Sequence, residues 1–214
     1  MSIIEQANKP KCEHKARYKR PMDLSILIVS HIVLAPVLMI FWGAISSMIW
    51  LEDRGPILFR QDRRGKDGRI ISIIKFRTMV PDAARVGPVW TVKDDPRITR
   101  TGRWLRKTGL DELPQLVSLW KGDVSFVGPR PLPVHEQDLL ESEIPGFEER
   151  LTIQPGLTGL AQIYNHGDGD QGKLNYDLEY IRRRGLLLDV KLILMTGLIA
   201  ITGRGDDRLE KTNN

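Results

Sequence analysis

The chain has 214 residues, enough for one medium-sized domain with its own core. A single cysteine, Cys12, excludes an internal disulfide framework and any cysteine-rich metal site. The formal charge of +5 is unevenly spread: residues 52–110 carry fifteen Lys/Arg against seven acids, whereas residues 111–214 carry eleven against seventeen.

The first twenty residues form a basic leader that precedes an apolar segment over residues 21–51. From Leu24 to Leu51 there is no Asp, Glu, Lys or Arg. As a straight helix those residues would reach roughly 42 Å, more than a bilayer core requires. No small-residue cleavage site closes the run, so it does not read as a signal peptide. Pro36 lies near its middle and removes one backbone hydrogen bond, with Ser30 or His31 in reach of the freed carbonyl. A kinked spanning helix and a re-entrant hairpin both remain open on this pattern. Basic residues on both flanks (Lys15 to Arg20 before, Arg54 to Arg69 after) suit the hairpin, because the positive-inside rule then holds at both ends. The basic stretch beside the apolar segment points to anionic phospholipid, phosphate or nucleic acid as a partner.

Beyond the apolar run, residues 57–61 and 70–77 read as the strands of a short hairpin around Gly65 and Gly68. Residues 80–99 read as a loop, and Gly102–Lys107 as a short basic helix. A helix is expected over Pro114–Lys121, closed by Gly122, with others over His135–Glu143 and 172–184. The run 186–203 fits either a helix in the membrane interface or a core helix. The tail from 205 is polar. The fold class is α+β, predominantly helical.

LDELPQL, starting at Leu110, concentrates the chemistry. Pro114 belongs in a first helical turn, which puts Asp111 near the N-cap and Glu112 just after it. The helix N-terminus favours anions and would hold Asp111 ionised. An ionised carboxylate can attack phosphorus, and a neighbouring Glu can carry a Mg²⁺ that screens phosphate charge. From the dyad alone, simple helix capping is the better reading. Its neighbours shift that weight: Arg103, Arg106 and Lys107 precede it, and GDVSFVGPRPLP follows. Pro129 and Pro131 stiffen the backbone around Arg130, which suits bidentate phosphate recognition.

KFRTM at 75–79, DELPQL at 111–116, GPRPL at 128–132 and PGLTGLAQ at 155–162 occur in this order. Through them the chain resembles bacterial sugar transferases of the monotopic phosphoglycosyl transferase family, from about residue 18 to 204. The apolar leader with a central proline also resembles that family's re-entrant membrane helix. The resemblance implies a catalytic domain over 52–204 with interfacial amphipathic helices and a small β-hairpin around a site at the cytoplasmic face of the bacterial inner membrane. It implies transfer of a sugar phosphate from a UDP-sugar to polyprenol phosphate, with UMP released. Asp111 then corresponds to the covalent nucleophile and Glu112 to the Mg²⁺-binding carboxylate. Arg106 and Arg130 correspond to phosphate contacts, and Lys75 and Arg77 to the lining of the same basic site. Asp177 and Asp189 fall where the family carries further acidic residues.

The chain departs from the family's pattern in three places: Ala35 precedes Pro36 where Ser is common, Gly109 stands two before Asp111, and YNHGDGDQGKLNYD follows the PGLTG block. The chain resembles the small form, whose members often handle N-acetylated or amino-deoxy sugars. A homodimer is left open. A membrane-tethered, non-enzymatic binder of nucleic acid or acidic lipid is the competing class, but no nucleic-acid module is recognisable. A glycosyltransferase releasing UDP is the other alternative.

Overall fold

The computed structural model describes residues 17–86, 95–165 and 168–202. Cys12, Lys15, the polar tail from 205, residues 87–94 of the expected loop and residues 166–167 lie outside the described residues.

Helix α1, Lys19–Asp53, is one run of 35 residues with Pro36 inside it. It is long and apolar enough to cross a membrane, and almost none of its most apolar stretch is buried. Its exposed middle includes Ile32, Val33, Met39 and Ile40, each at least two-thirds exposed. Both ends, by contrast, are fastened to the same body. Lys19 donates to Asp189 at 2.8 Å and to the Val127 carbonyl. Asp23 accepts from the Phe126 amide. At the far end Glu52 accepts from the amides of Arg100 and Thr101, and Asp53 pairs with Arg77.

No loop interrupts α1 at Pro36. Ser30 Oγ and His31 Nδ1 do not mend the carbonyl that the proline frees; both donate to Leu27 O, at 3.0 and 2.8 Å. Side chains on a helix lean toward its N-terminus, so they reach back three or four residues and not forward to Ile32.

The hairpin forms as β1, Leu58–Arg64, against β2, Ile70–Phe76, antiparallel from Leu58↔Phe76 to Arg64↔Ile70. Its turn bends through Asp67 and Gly68, at φ 56 and 74°. After the single turn α2, Ala83–Val86, comes α3, Arg100–Thr108, capped by the Thr99 hydroxyl on the Gly102 amide at 2.9 Å. Gly102 is required because α3 crosses the end of β2: a Cβ there would lie 2.0 Å from Thr78 O. A 3₁₀ turn over Leu110–Gln115 leads into α4, Leu116–Lys121, which Gly122 closes as expected, at φ 84°.

Two short parallel strands were not anticipated: β3, Ser125–Val127, and β4, Gly156–Thr158, separated by α5, Val134–Glu143, and a 3₁₀ stretch at Phe147–Thr152. Their close approach explains the glycines of two sequence motifs. A Cβ on Gly156 would sit 2.0 Å from Gly128 N, so both backbones must be bare. The chain continues through α6, Leu160–Tyr164, and α7, Gly169–Arg183, to α8, Leu186–Thr202. Through Leu192, one face of α8 enters a core with Val127, Ile163 and Tyr180. Its other face leaves Leu187, Leu194 and Leu198 exposed. The helix is thus apolar on both sides, and its buried face fits the core-helix reading.

Candidate active site

The turn that carries the dyad is held by its leucines. In a 3₁₀ turn residues three apart eclipse one another. Leu110 and Leu113 therefore share a side, and both pack with Ile45, Ile49, Phe76 and Leu105. Asp111 and Glu112 are left half-buried between them. Because the turn is 3₁₀ and α4 is only six residues long, neither carboxylate caps an α-helix as expected. Cations replace the helix dipole as the electrostatic surroundings.

Those cations come from four elements. Lys75 stands on β2 opposite Phe59, with its ammonium 5.5 Å from that ring. Arg106, on α3, donates Nε to Thr78 Oγ1 at 2.9 Å. Arg130, between its two prolines, pairs with Glu112. Arg63, on β1, donates to Pro131 O at 2.6 Å and to Gln61 Oε1 at 3.0 Å. Burial, then the charge of Glu112, push the Asp111 carboxyl above its ordinary range, while Lys75, Arg106 and Arg130 pull the other way. Burial acts upward on Glu112 too, but Arg130, Arg63 and Lys75 outweigh it and hold Glu112 below the usual range. Burial and the charges of Arg63, Arg106 and Arg130 bring Lys75 down to about 8. Adjacent carboxylates whose environments drive them apart are suited to separate roles. Here the more basic one is the better nucleophile once deprotonated, and the other stays charged.

The structure thus gathers Asp111, Glu112, Lys75, Arg106 and Arg130 around one electrostatic site. The other three expected site residues lie elsewhere, each buried and paired with protein groups. Arg77 is 6% exposed and clamps the end of α1, through Asp53 and the carbonyls of Pro56 and Met79. Asp177 is 1% exposed and paired with Arg150. Asp189 is 0% exposed and accepts from Lys19, Tyr18 and Tyr180. Buried groups with satisfied partners have no open valence for a ligand. Arg63 was the residue sequence reasoning passed over. Its period-two partnership with Gln61 was the available signal, hidden by the run of basic residues around it.

An apolar groove of about 410 Å³ shares Leu113 with the turn that carries the dyad. His31, Ala35, Leu38 and Trp42 of α1 form one wall, and Leu113, Val117 and Trp120 the other. Trp120 meets His31 edge-on at 5.5 Å.

Among the described residues no cluster of three or more ligating side chains exists that would cage a metal. The dyad offers two adjacent carboxylates, which fits Mg²⁺ held by one or two carboxylates together with substrate phosphates.

Residues 14–203 match the bacterial sugar transferase family. The chain belongs to that family. Among its relatives, the undecaprenyl-phosphate glucose phosphotransferase of Komagataeibacter xylinus is 37% identical over 209 residues, which cover 91% of this chain and 38% of that protein. The UDP-glucose:undecaprenyl-phosphate glucose-1-phosphate transferase of Klebsiella pneumoniae is 37% identical over 185 residues, covering 84% of this chain and 39% of its own length. The exopolysaccharide production protein PSS of Rhizobium leguminosarum bv. phaseoli is 37% identical over 198 residues, 87% of this chain and 97% of that one. The chain spans only 38% and 39% of the length of these first two relatives.

Proposed function

We propose that this sugar transferase moves a sugar 1-phosphate from a UDP-sugar to a polyprenol phosphate. The observation that carries the reading is the dyad, collared by Lys75, Arg63, Arg106 and Arg130 on a turn whose Leu113 also lines an apolar groove. A diphosphate and a lipid phosphate are anionic, and the lipid's remainder is apolar, so the site offers both kinds of contact. The Komagataeibacter and Klebsiella relatives, both named for transfer to undecaprenyl phosphate, support the same chemistry.

In this reading an Asp111 carboxylate oxygen attacks the phosphorus that bears the sugar. The bond from that phosphorus to the bridging oxygen breaks, and UMP leaves with the electron pair. A phosphate oxygen of the polyprenol phosphate then attacks the same phosphorus and displaces the carboxylate. Polyprenyl diphosphate sugar is formed and Asp111 is restored. Arg130, Arg106 and Lys75 bind and orient phosphate oxygens. Glu112, held ionised, is the residue that would carry Mg²⁺, whose chemistry is to neutralise charge on the transferred phosphoryl group.

The same reading puts α1 in the inner membrane as a re-entrant element, entered and left from the cytoplasmic face. A spanning helix separates its ends by a bilayer core of about 30 Å. Here both ends bond to the same body while the middle exposes apolar side chains, which supports re-entry. Single cysteines at Arg17 and Arg54, in a Cys12→Ser background, should label from the cytoplasmic side only; labelling from opposite faces would exclude re-entry.

The decisive assay supplies polyprenol phosphate, Mg²⁺ and a panel of UDP-sugars. UMP release from one donor is expected. UDP in its place would make the protein a glycosyltransferase, and binding of polyanions without any turnover would make it a tether.

A further inference from the structure

The Pro129-Arg130-Pro131 segment presents an unusual anchoring problem. Its two prolines have no N–H, so the backbone there is fastened chiefly through carbonyls. Each of the three carbonyls accepts from a different element. Pro129 O takes the Gly156 amide at 2.9 Å, Arg130 O takes Arg150 Nη2 at 2.9 Å, and Pro131 O takes Arg63 Nη1 at 2.6 Å.

The middle anchor differs in kind. Arg150 is 2% exposed and belongs to no part of the phosphate-binding collar. Its Nε and Nη2 both donate to Asp177 Oδ2, at 2.9 and 2.7 Å, and its Nη1 donates to Gln137 Oε1 at 3.0 Å. The Phe147 ring covers the guanidinium, 5.0 Å from centroid to charge. Asp177 and Gln137, themselves 1% and 0% exposed, leave the fork no other orientation. Of the five donors of this planar fork, Asp177 and Gln137 take three, and the second hydrogen of Nη2 ends on the carbonyl of the arginine that pairs with Glu112.

We infer that Arg150 is a positioning residue for the transfer reaction: clamped by Asp177 and Gln137, it fixes the backbone of Arg130 and so aims that guanidinium at the dyad. The inference rests on the proposed role of Arg130 at the transferred phosphate. It gives Asp177 a role in catalysis that needs no contact with substrate.

The test is a cycle. Arg150→Lys keeps a cation beside Asp177 but loses the fork, so the fold should persist with a lowered melting temperature. UMP release at saturating donor and polyprenol phosphate should fall roughly 10- to 100-fold, as expected when a catalytic group is misplaced by a fraction of an ångström to an ångström. In an Arg130→Lys background the same substitution should change turnover less than about twofold, while the melting temperature drops as before. Equal losses of turnover in both backgrounds would make Arg150 merely structural and overturn the inference alone. Normal turnover of Arg130→Lys by itself would instead overturn the proposed role of Arg130. Should Arg150→Lys fail to fold, Asp177→Asn loosens the same clamp with nearly unchanged shape. It should show the same dependence on Arg130, and independence would count against the clamp.

Discussion

Two arginine–carboxylate pairs lie either side of one peptide, and their surroundings could hardly differ more. In the Arg130–Glu112 pair the side chains are 42% and 29% exposed. In the Arg150–Asp177 pair both are 1% exposed. The same two functional groups therefore do different work. The open pair can release its carboxylate toward a metal or its guanidinium toward a phosphate, because water and ligands can replace what is lost. The sealed pair cannot exchange partners, since an unpaired charge would be stranded in a medium that solvates it poorly. In the proposed reading, openness marks the pair that acts and closure the pair that aims it.

The largest expected effect tests whether chemistry belongs to the open side. Asp111→Asn should lower turnover by about 10⁴-fold or more, the scale seen when a covalent nucleophile is removed. With UDP-sugar alone, the wild-type protein should gain the mass of one phosphosugar and release one equivalent of UMP. The variant should do neither, and its melting temperature should hold. Near-normal turnover in Asp111→Asn would return the dyad to a structural turn.

The sealed side should answer in stability. Asp177→Ala strands the Arg150 charge and should cost about 3–5 kcal/mol in denaturant unfolding. Glu112→Ala removes the carboxylate of the half-open pair and should cost no more than about 1 kcal/mol. Similar costs for the two would erase the distinction between the pairs.

Metal removal sharpens the role of the open carboxylate. EDTA should abolish UMP release and added Mg²⁺ should restore it. Glu112→Gln should lower turnover by about 10²- to 10³-fold, the range for losing one electrostatic contact to a transferred group. Full activity in EDTA would remove the metal from the reading.

The sequence showed the open pair more readily than the sealed one, for a physical reason. Asp111, Glu112 and Arg130 sit in compact stretches whose prolines and neighbouring cations announce an anion site. Arg150 and Asp177 are 27 positions apart, and nothing local links them. Their pairing comes from the packing of the 3₁₀ stretch at Phe147–Thr152 on α7, which no short pattern encodes. Asp177, Asp189 and Arg77 show the complementary case. A charged residue in an otherwise recognisable stretch looks like a ligand, and only burial reveals it as a clamp. The long helix, the hairpin and the Gly122 cap follow from periodicity and turn chemistry. The β3–β4 pairing was hidden because three-residue strands carry no readable alternation, although Gly128 and Gly156 marked the place.

The smallest effect concerns Lys75, and its sign separates activity from stability. Its ammonium is brought from 10.5 to about 8 in the folded protein, first by burial and then by the surrounding guanidinium groups. In the unfolded chain neither acts, so the ordinary value returns. Between about 8 and 10.5 the unfolded chain therefore binds more protons than the folded one, and stability contributed at this residue rises with pH across that window. Activity runs the other way: the charged ammonium is the form that attracts the donor's diphosphate, so kcat/KM should fall about tenfold per pH unit above about 8. Phosphate bound beside Lys75 favours its charged form, so the matching limb in kcat should appear at higher pH. Lys75→Arg keeps its charge throughout and should lose both limbs while retaining activity at pH 7 within about tenfold. A pH profile from 6 to 10 reads both properties on one sample, kcat/KM by UMP release and stability by thermal melting. An alkaline limb that survives in Lys75→Arg would belong to another group, and Lys75 would then be an ordinary member of the collar.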